Sequence, residues 1–196
     1  VGDKVYSCGL NNYGQLGLGH RDFRTFLTEI RSLRGLGVIA VRGGAHHSLV
    51  LTASGELFAF GRGDSGQLGV PLCADYPGGC IEVPISPGTA LGAGAGGTTD
   101  DLAKEHFTAI ACGSNHCLAL ARATAPSSSS SSSSTRSAAV NTTLYSWGYG
   151  DMLALGHGKE KDEVAPRRVT TWGKGEKDVP VGDRYTTVEH IFSIDA

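Results

Sequence analysis

Apolar residues in this chain come in short runs, each closed by glycine or by a small polar turn. Ser48-Leu-Val-Leu51, the turn Thr52-Ala-Ser-Gly55 and Glu56-Leu-Phe-Ala-Phe60 make one such unit. Short apolar runs bounded by turn residues predict strands, and this unit predicts a β-hairpin. Leu118-Ala-Leu120 and Thr143-Leu-Tyr-Ser-Trp147 repeat it, and Val38–Val41 and Phe107–Ala111 each predict the strand before it. No apolar pattern of period 3.6 is sustained, so helical repeats are excluded, and residues 26–36 have room for a helical turn only.

The runs recur in register. Val5-Tyr-Ser-Cys-Gly9, Leu57-Phe-Ala-Phe-Gly61 and Leu144-Tyr-Ser-Trp-Gly148 align, each followed by a glycine-rich turn. A second motif interleaves with them: Gly44-Ala-His-His47-Ser-Leu-Val-Leu51 and Gly113-Ser-Asn-His116-Cys-Leu-Ala-Leu120. Gly9 to Gly61 spans 52 positions and Gly61 to Gly148 spans 87. Insertions of 17 residues between Gly69 and Gly113 and of 18 between His116 and Gly148 account for the whole excess. The chain therefore reads as a repeat of about 52 residues: repeat 1 over 2–53, repeat 2 over 54–123 with a loop insertion near 70–104, and repeat 3 over 141–196. A Ser-rich insertion at 124–140, holding the tract Ser127–Ser134, is expected to be disordered, because it has little to bury.

About four strands per 50 residues is the period of a propeller blade. The fold expected is all-β, a partial β-propeller. Gly17, Gly69 and Gly156 recur at fixed offsets, as positions needing positive φ or close backbone approach do. The polar turn between the flanking glycines centres on Asn12, Asp64 or Asp151, residues suited to turns. In the third copy Leu153-Ala154 replaces Gly-Gln, so its turn is expected to differ in shape.

Composition narrows the possible chemistry. The formal net charge is −2, which gives nucleic-acid binding no electrostatic support. No run approaches the ~20 apolar residues of a membrane span, and no membrane partner is expected. Of five cysteines none lies in a C-x-x-C pair, so the spacing argues against a zinc site, and no metal is expected. Cys8 and Cys112, in apolar runs, read as small buried hydrophobes, which favours a reducing compartment. Paired carboxylates, a phosphate loop and a cofactor motif are all lacking, so neither a cofactor nor an enzyme is expected. His47-Ser48 does not make a triad, because neighbours on a strand point to opposite faces.

The run Gly61-Arg-Gly-Asp-Ser-Gly-Gln-Leu-Gly69, preceded by Gly-x-x-His-Ser and a short turn, resembles the regulator of chromosome condensation repeat family. The resemblance covers about 140 residues and implies a seven-bladed propeller, of which this chain supplies about three four-stranded blades. The N-terminus lacks Met, and Glu189–Ala196 repeats the shape of Glu105–Cys112, so a Gly-x-x-His run is expected after Ala196. The resemblance further implies a guanine-nucleotide exchange factor for the small GTPase Ran. Its blades with the key acidic residue and the wedge lie outside this chain, so the chain alone is expected to be inactive in exchange. Nuclear localisation (or, alternatively, cytoplasmic) and chromatin contact only through segments outside this chain are implied as well. The GTPase-interface candidates carried over are Ala45, His46, Ser114, Asn115 and Asp64. His47, His116, Gly44 and Gly113 are expected to be structural residues of the repeat, together with Gly17, Gly69 and Gly156. The alternative is a propeller serving as an interaction module in a ubiquitin ligase, kinase or ciliary scaffold. Gly156–Pro166, an acidic stretch ending in proline, leans towards the exchange factor.

Overall fold

The computed structural model describes residues 4–70, 83–85, 105–123 and 142–170. The described residues form ten strands in three antiparallel sheets. β1 (Tyr6–Gly9) pairs with β2 (Arg24–Glu29). The second sheet runs in the order β3 (Val38–Gly43), β4 (His47–Thr52), β5 (Leu57–Gly61), β6 (Val83–Ile85). The third follows the same order with β7 (Glu105–Cys112), β8 (His116–Ala123), β9 (Thr142–Gly148) and β10 (Glu163–Arg168). Two single 3₁₀ turns, Arg31–Leu33 and Asp151–Leu153, are the only helical segments among the described residues. Each four-stranded sheet is a meander, which is the build of a propeller blade.

The expected hairpins form with the expected strands. His47 pairs with Gly61 and Leu51 with Leu57, while His116 pairs with Gly148 and Leu120 with Leu144. The fourth strand of each sheet follows the glycine-rich turn, where the apolar pattern is weakest. β6 lies within 70–104, a stretch expected as loop, and β10 holds Pro166. Both are outermost in their sheets, and proline is tolerated on such an edge because it has no ladder N–H to leave unpaired. The serine-rich insertion and residues 171–196 fall outside the described residues.

β4 and β5 of the second sheet are buried on both faces, while β3 is largely exposed, and their side chains divide with a period of two. Leu49, Leu51, Leu57 and Ala59 pack with Phe107, Ile110, Cys117, Ala119, Ala121, Tyr145 and Trp147 of the third sheet. Val50 and Phe60, on the opposite face, pack with Ile30 and Leu33, and with Val5 and Leu18 beside β1. A strand covered on both faces needs apolar residues at every position, hence the uninterrupted Leu-Val-Leu and Leu-Phe-Ala-Phe runs. Each fully buried Leu or Phe stabilises the stack by roughly 1.5–3 kcal/mol.

Polar contacts fix the sheets against one another. Trp147 Nε1 donates to the Gln67 carbonyl at 3.1 Å, Ala45 N to Ser114 O at 2.9 Å, and His106 Nδ1 contacts Ser54 O at 2.8 Å. Gly17 has φ +69°, and a Cβ there would stand 2.9 Å from the Phe60 ring, so glycine serves both backbone and packing. Cys8 is exposed, contrary to the buried position expected from its apolar run, because β1 pairs only with β2 among the described residues. Cys112 is only half-buried, since its end of β7 opens on the loop edge, whereas Cys117 is fully buried.

Candidate binding face and the blade seam

The Gly-x-x-His loops connect β3 to β4 and β7 to β8, and both are built alike. A Cβ on Gly44 would fall on the His47 ring, and one on Gly113 on the His116 ring. Each histidine thus folds back under its own glycine. Gly44 N donates to His47 O at 2.8 Å and Gly113 N to His116 O at 2.9 Å. Between them the loops present Ala45 and His46 in one blade and Ser114 and Asn115 in the next. The backbone bond from Ala45 to Ser114 joins the two loops directly.

The turns after β5 and β9 tie onto these loops by backbone bonds. Arg62 N donates to His46 O at 2.8 Å, and Tyr149 N to Asn115 O at 2.9 Å. Gly61 and Gly148 precede the donors with φ of +114° and +104°, and a Cβ on either would strike the same carbonyls. Glycine is therefore required wherever the turn closes on the loop.

Side chains then link His46 to Asp64. The His46 and Tyr13 rings lie 4.9 Å apart, and the Arg62 guanidinium sits 5.4 Å from the Tyr13 ring centroid. Arg62 donates to Asp64 Oδ2 from Nε at 2.9 Å and Nη2 at 2.5 Å. Gln67 Nε2 donates to Asp64 Oδ1 at 3.3 Å. The Arg62 contact, with help from Gln67, holds the Asp64 carboxyl below its ordinary pKa despite its exposure. All five candidates carried over by resemblance thus lie along one connected stretch of loop. Tyr13 and Arg62, which sequence reasoning passed over, complete it. Their only signal was position: an aromatic and a cation inside polar turns otherwise made of small residues.

The third glycine-rich turn departs from the other two. Gly66 N bonds Gly63 O and Gly69 N bonds Gly66 O, whereas in the third copy Ala154 N bonds Asp151 O before Gly156 N bonds Leu153 O. Met152 and Leu153 carry φ of 52° and 60°. Leu153 occupies the place of Gly66, so a γ-branched side chain sits in a backbone region that glycine takes freely. Asp151 lies beside Tyr149 and raises the pKa of its phenol by its negative charge.

His47 and Ser48 serve different neighbours. Ser48 Oγ donates to Gln15 O at 2.9 Å, in the turn on one side of the sheet. His47, fully buried, turns to the other side, where Nε2 lies 3.2 Å from Cys117 Sγ. Cys117 stands in its blade where Ser48 stands in the preceding one, and its Sγ faces Gln67 O at 3.5 Å as Ser48 faces Gln15 O. Cys112 pairs across the ladder with Cys117, the two sulfurs 3.8 Å apart. Local spacing argued against a zinc site, yet the fold gathers one histidine and two cysteines from two blades, with ligand atoms all within 4.8 Å. Contact with Cys117, and then with His47, lowers the Cys112 thiol to about 6, while burial pushes the Cys117 thiol up.

A family model described as the regulator of chromosome condensation (RCC1) repeat matches residues 3–51, 54–120 and 142–188. The chain is 27% identical over 188 residues to the protein RCC2 homolog of Danio rerio, covering 91% of this chain and 34% of that protein. It is 30% identical over 146 residues to the secretion-regulating guanine nucleotide exchange factor of Bos taurus, covering 74% and 24%. It is 35% identical over 115 residues to the probable E3 ubiquitin-protein ligase HERC3 of Homo sapiens, covering 59% and 9%. The chain thus spans about a third or less of the length of these relatives. Its fold is similar to that of Prp20p from Saccharomyces cerevisiae, with a TM-score of 0.57 at 24% identity, over 85% of this chain and 34% of that one. Three matched repeats, blade-like meanders and the common build of the Gly-x-x-His loops agree: the chain belongs to the regulator of chromosome condensation repeat family and forms part of a β-propeller.

Proposed function

We propose that this chain contributes part of the binding face of a guanine-nucleotide exchange factor for the small GTPase Ran. The observation that carries the proposal is the connected run of Ala45, Ser114, His46, Tyr13, Arg62 and Asp64 along adjoining blades. A face of loops held by backbone bonds to a rigid sheet offers preset donors, acceptors and rings, which suits recognition of a folded partner. The bovine relative named as an exchange factor supports this reading, as does the solved Prp20p, described with its binding to Gsp1p and histones. Such a factor makes and breaks no covalent bond. It binds the nucleotide-free GTPase more tightly than the loaded one and so lowers the nucleotide's affinity by linkage. Nuclear placement follows from this reading, with chromatin contact left to segments outside this chain.

The test is release of labelled nucleotide from Ran by the full-length protein. Acceleration is expected, with His46→Ala slowing it several-fold while leaving the melting temperature unchanged. A His46→Ala rate equal to wild type removes the site assignment, and no acceleration by wild type removes the function. In the second case the other reading takes over: a propeller that serves as an interaction module. The 35% identity to a probable ubiquitin ligase favours it.

A further inference from the structure

The seam between the two four-stranded sheets holds a group of side chains that the proposed binding face does not use. His47 comes from β4, and Cys112 and Cys117 come from β7 and β8 of the next blade. From these three residues we infer a zinc site that clamps adjoining blades.

Three observations support it. The first is geometry. Zinc binds thiolate sulfur at about 2.3 Å in a tetrahedron, which places two ligating sulfurs roughly 3.8 Å apart. Cys112 and Cys117 already hold their sulfurs 3.8 Å apart. Sulfur and imidazole nitrogen on the same metal would be about 3.5 Å apart by the same geometry. His47 Nε2 lies 3.2 Å from Cys117 Sγ, and all three ligand atoms lie within 4.8 Å of one another, so the ion enters with side-chain shifts of at most about an ångström. The second is preorganisation. The His47 ring is trapped beneath Gly44, with Gly113 O closing on the same spot, so the imidazole is aimed across the seam before any ion arrives. The third is charge. Two thiolates balance a divalent cation, and a neutral imidazole adds nothing, so the loaded site is electrically neutral where His47 and Cys117 are shut off from solvent. A monovalent soft cation would leave a net buried negative charge, which selects zinc over cuprous ion.

Cys112 is the half-buried member and marks the side from which an ion reaches the seam. On binding, each thiol releases one proton to solvent and donates its sulfur lone pair, with no change in oxidation state. Among the described residues three ligands converge, and the fourth corner of the tetrahedron is left to water.

Serine can stand at Cys117 without leaving a hole. Ser48 holds the place of Cys117 in the preceding blade and makes the matching bond to a turn carbonyl, so Cys117→Ser keeps the fold. Cobalt(II), the spectroscopic stand-in for zinc, is titrated into the full-length protein under reducing, anaerobic conditions, with Cys112→Ser and Cys117→Ser in parallel. In wild type a thiolate-to-cobalt charge-transfer band is expected, saturating at one more equivalent than in either variant and bleached by added zinc. Either substitution should weaken binding at this site by at least about tenfold, the order lost when a ligand set is disturbed. Zinc should also raise the melting temperature of wild type and not of Cys117→Ser. Equal cobalt uptake by wild type and both variants overturns the proposal, as does a wild type that binds no cobalt. A band of wild-type intensity and affinity in Cys117→Ser with a normal melting curve overturns it too, by placing the cobalt elsewhere.

Discussion

The imidazole of His157 sits half-buried against Ser146, its Nε2 2.9 Å from the hydroxyl oxygen. Burial lowers its pKa first, and the Arg167 charge lowers it further, against weaker opposing effects of Ser146 and Glu163. A histidine whose folded pKa is depressed favours the neutral ring in the folded state. Its contribution is therefore fully present above the unfolded value of 6.5 and declines as pH falls below it, levelling off once the folded pKa is passed. Melting temperature should drop as the buffer is taken from pH 7.5 to 5, and His157→Gln should make the drop shallower. Thermal melts across that range check this, and parallel curves for the two proteins would refute it. At this scale the sequence was legible where a residue's role is local. The glycine and histidine of each Gly-x-x-His pair belong together because the ring lies under the glycine, and a fixed spacing announces that. Cys8 is the exception, exposed although its run is apolar, since such a run fixes the pattern of a strand but not whether another element covers it.

Among the elements, the third glycine-rich turn carries the strain. Left-handed backbone costs a non-glycine residue about 1–2 kcal/mol, and both Met152 and Leu153 are held there. Gly14 and Gly66 fill the place of Leu153 in the other copies with φ of +78° and +81°. Leu153 is exposed and forfeits little packing. Leu153→Gly should therefore raise stability by about 1 kcal/mol, read as a higher urea midpoint at unchanged slope. A lower midpoint would mean that the side chain contributes more than the backbone loses. The departure of this turn was visible in the sequence, because Leu-Ala replaces Gly-Gln within a fixed register. The fourth strands were not visible. β6 and β10 are outermost in their sheets, contain proline and owe their strand conformation to pairing with β5 and β9. A strand held by its neighbour and not by its own apolar pattern leaves little trace in sequence.

For the whole molecule, what matters is that the sheets share one core. Trp147, fully buried, fills the seam between the second and third sheets and donates to Gln67 across it. Trp147→Ala removes a large ring and leaves the Gln67 carbonyl without that donor, a loss of about 3–5 kcal/mol. Denaturant unfolding followed by circular dichroism checks this, and a loss below about 1 kcal/mol would show that the sheets do not depend on the seam. The repeat, its register, the hairpins and the positions of the glycine turns are all legible along the chain. These depend on neighbours a few residues apart, and periodicity records such neighbours. That Tyr13 and Arg62 join His46 and Asp64, and that Trp147 meets Gln67, emerges once the sheets are packed. The same packing brings His47 up to Cys117 and, within 4.8 Å, Cys112. The contacts of Tyr13 with Arg62, of Trp147 with Gln67 and of His47 with Cys117 join different repeats, and they form because sheets stack face to face at one spacing and offset. That offset follows from the packing of whole faces, which no local pattern encodes.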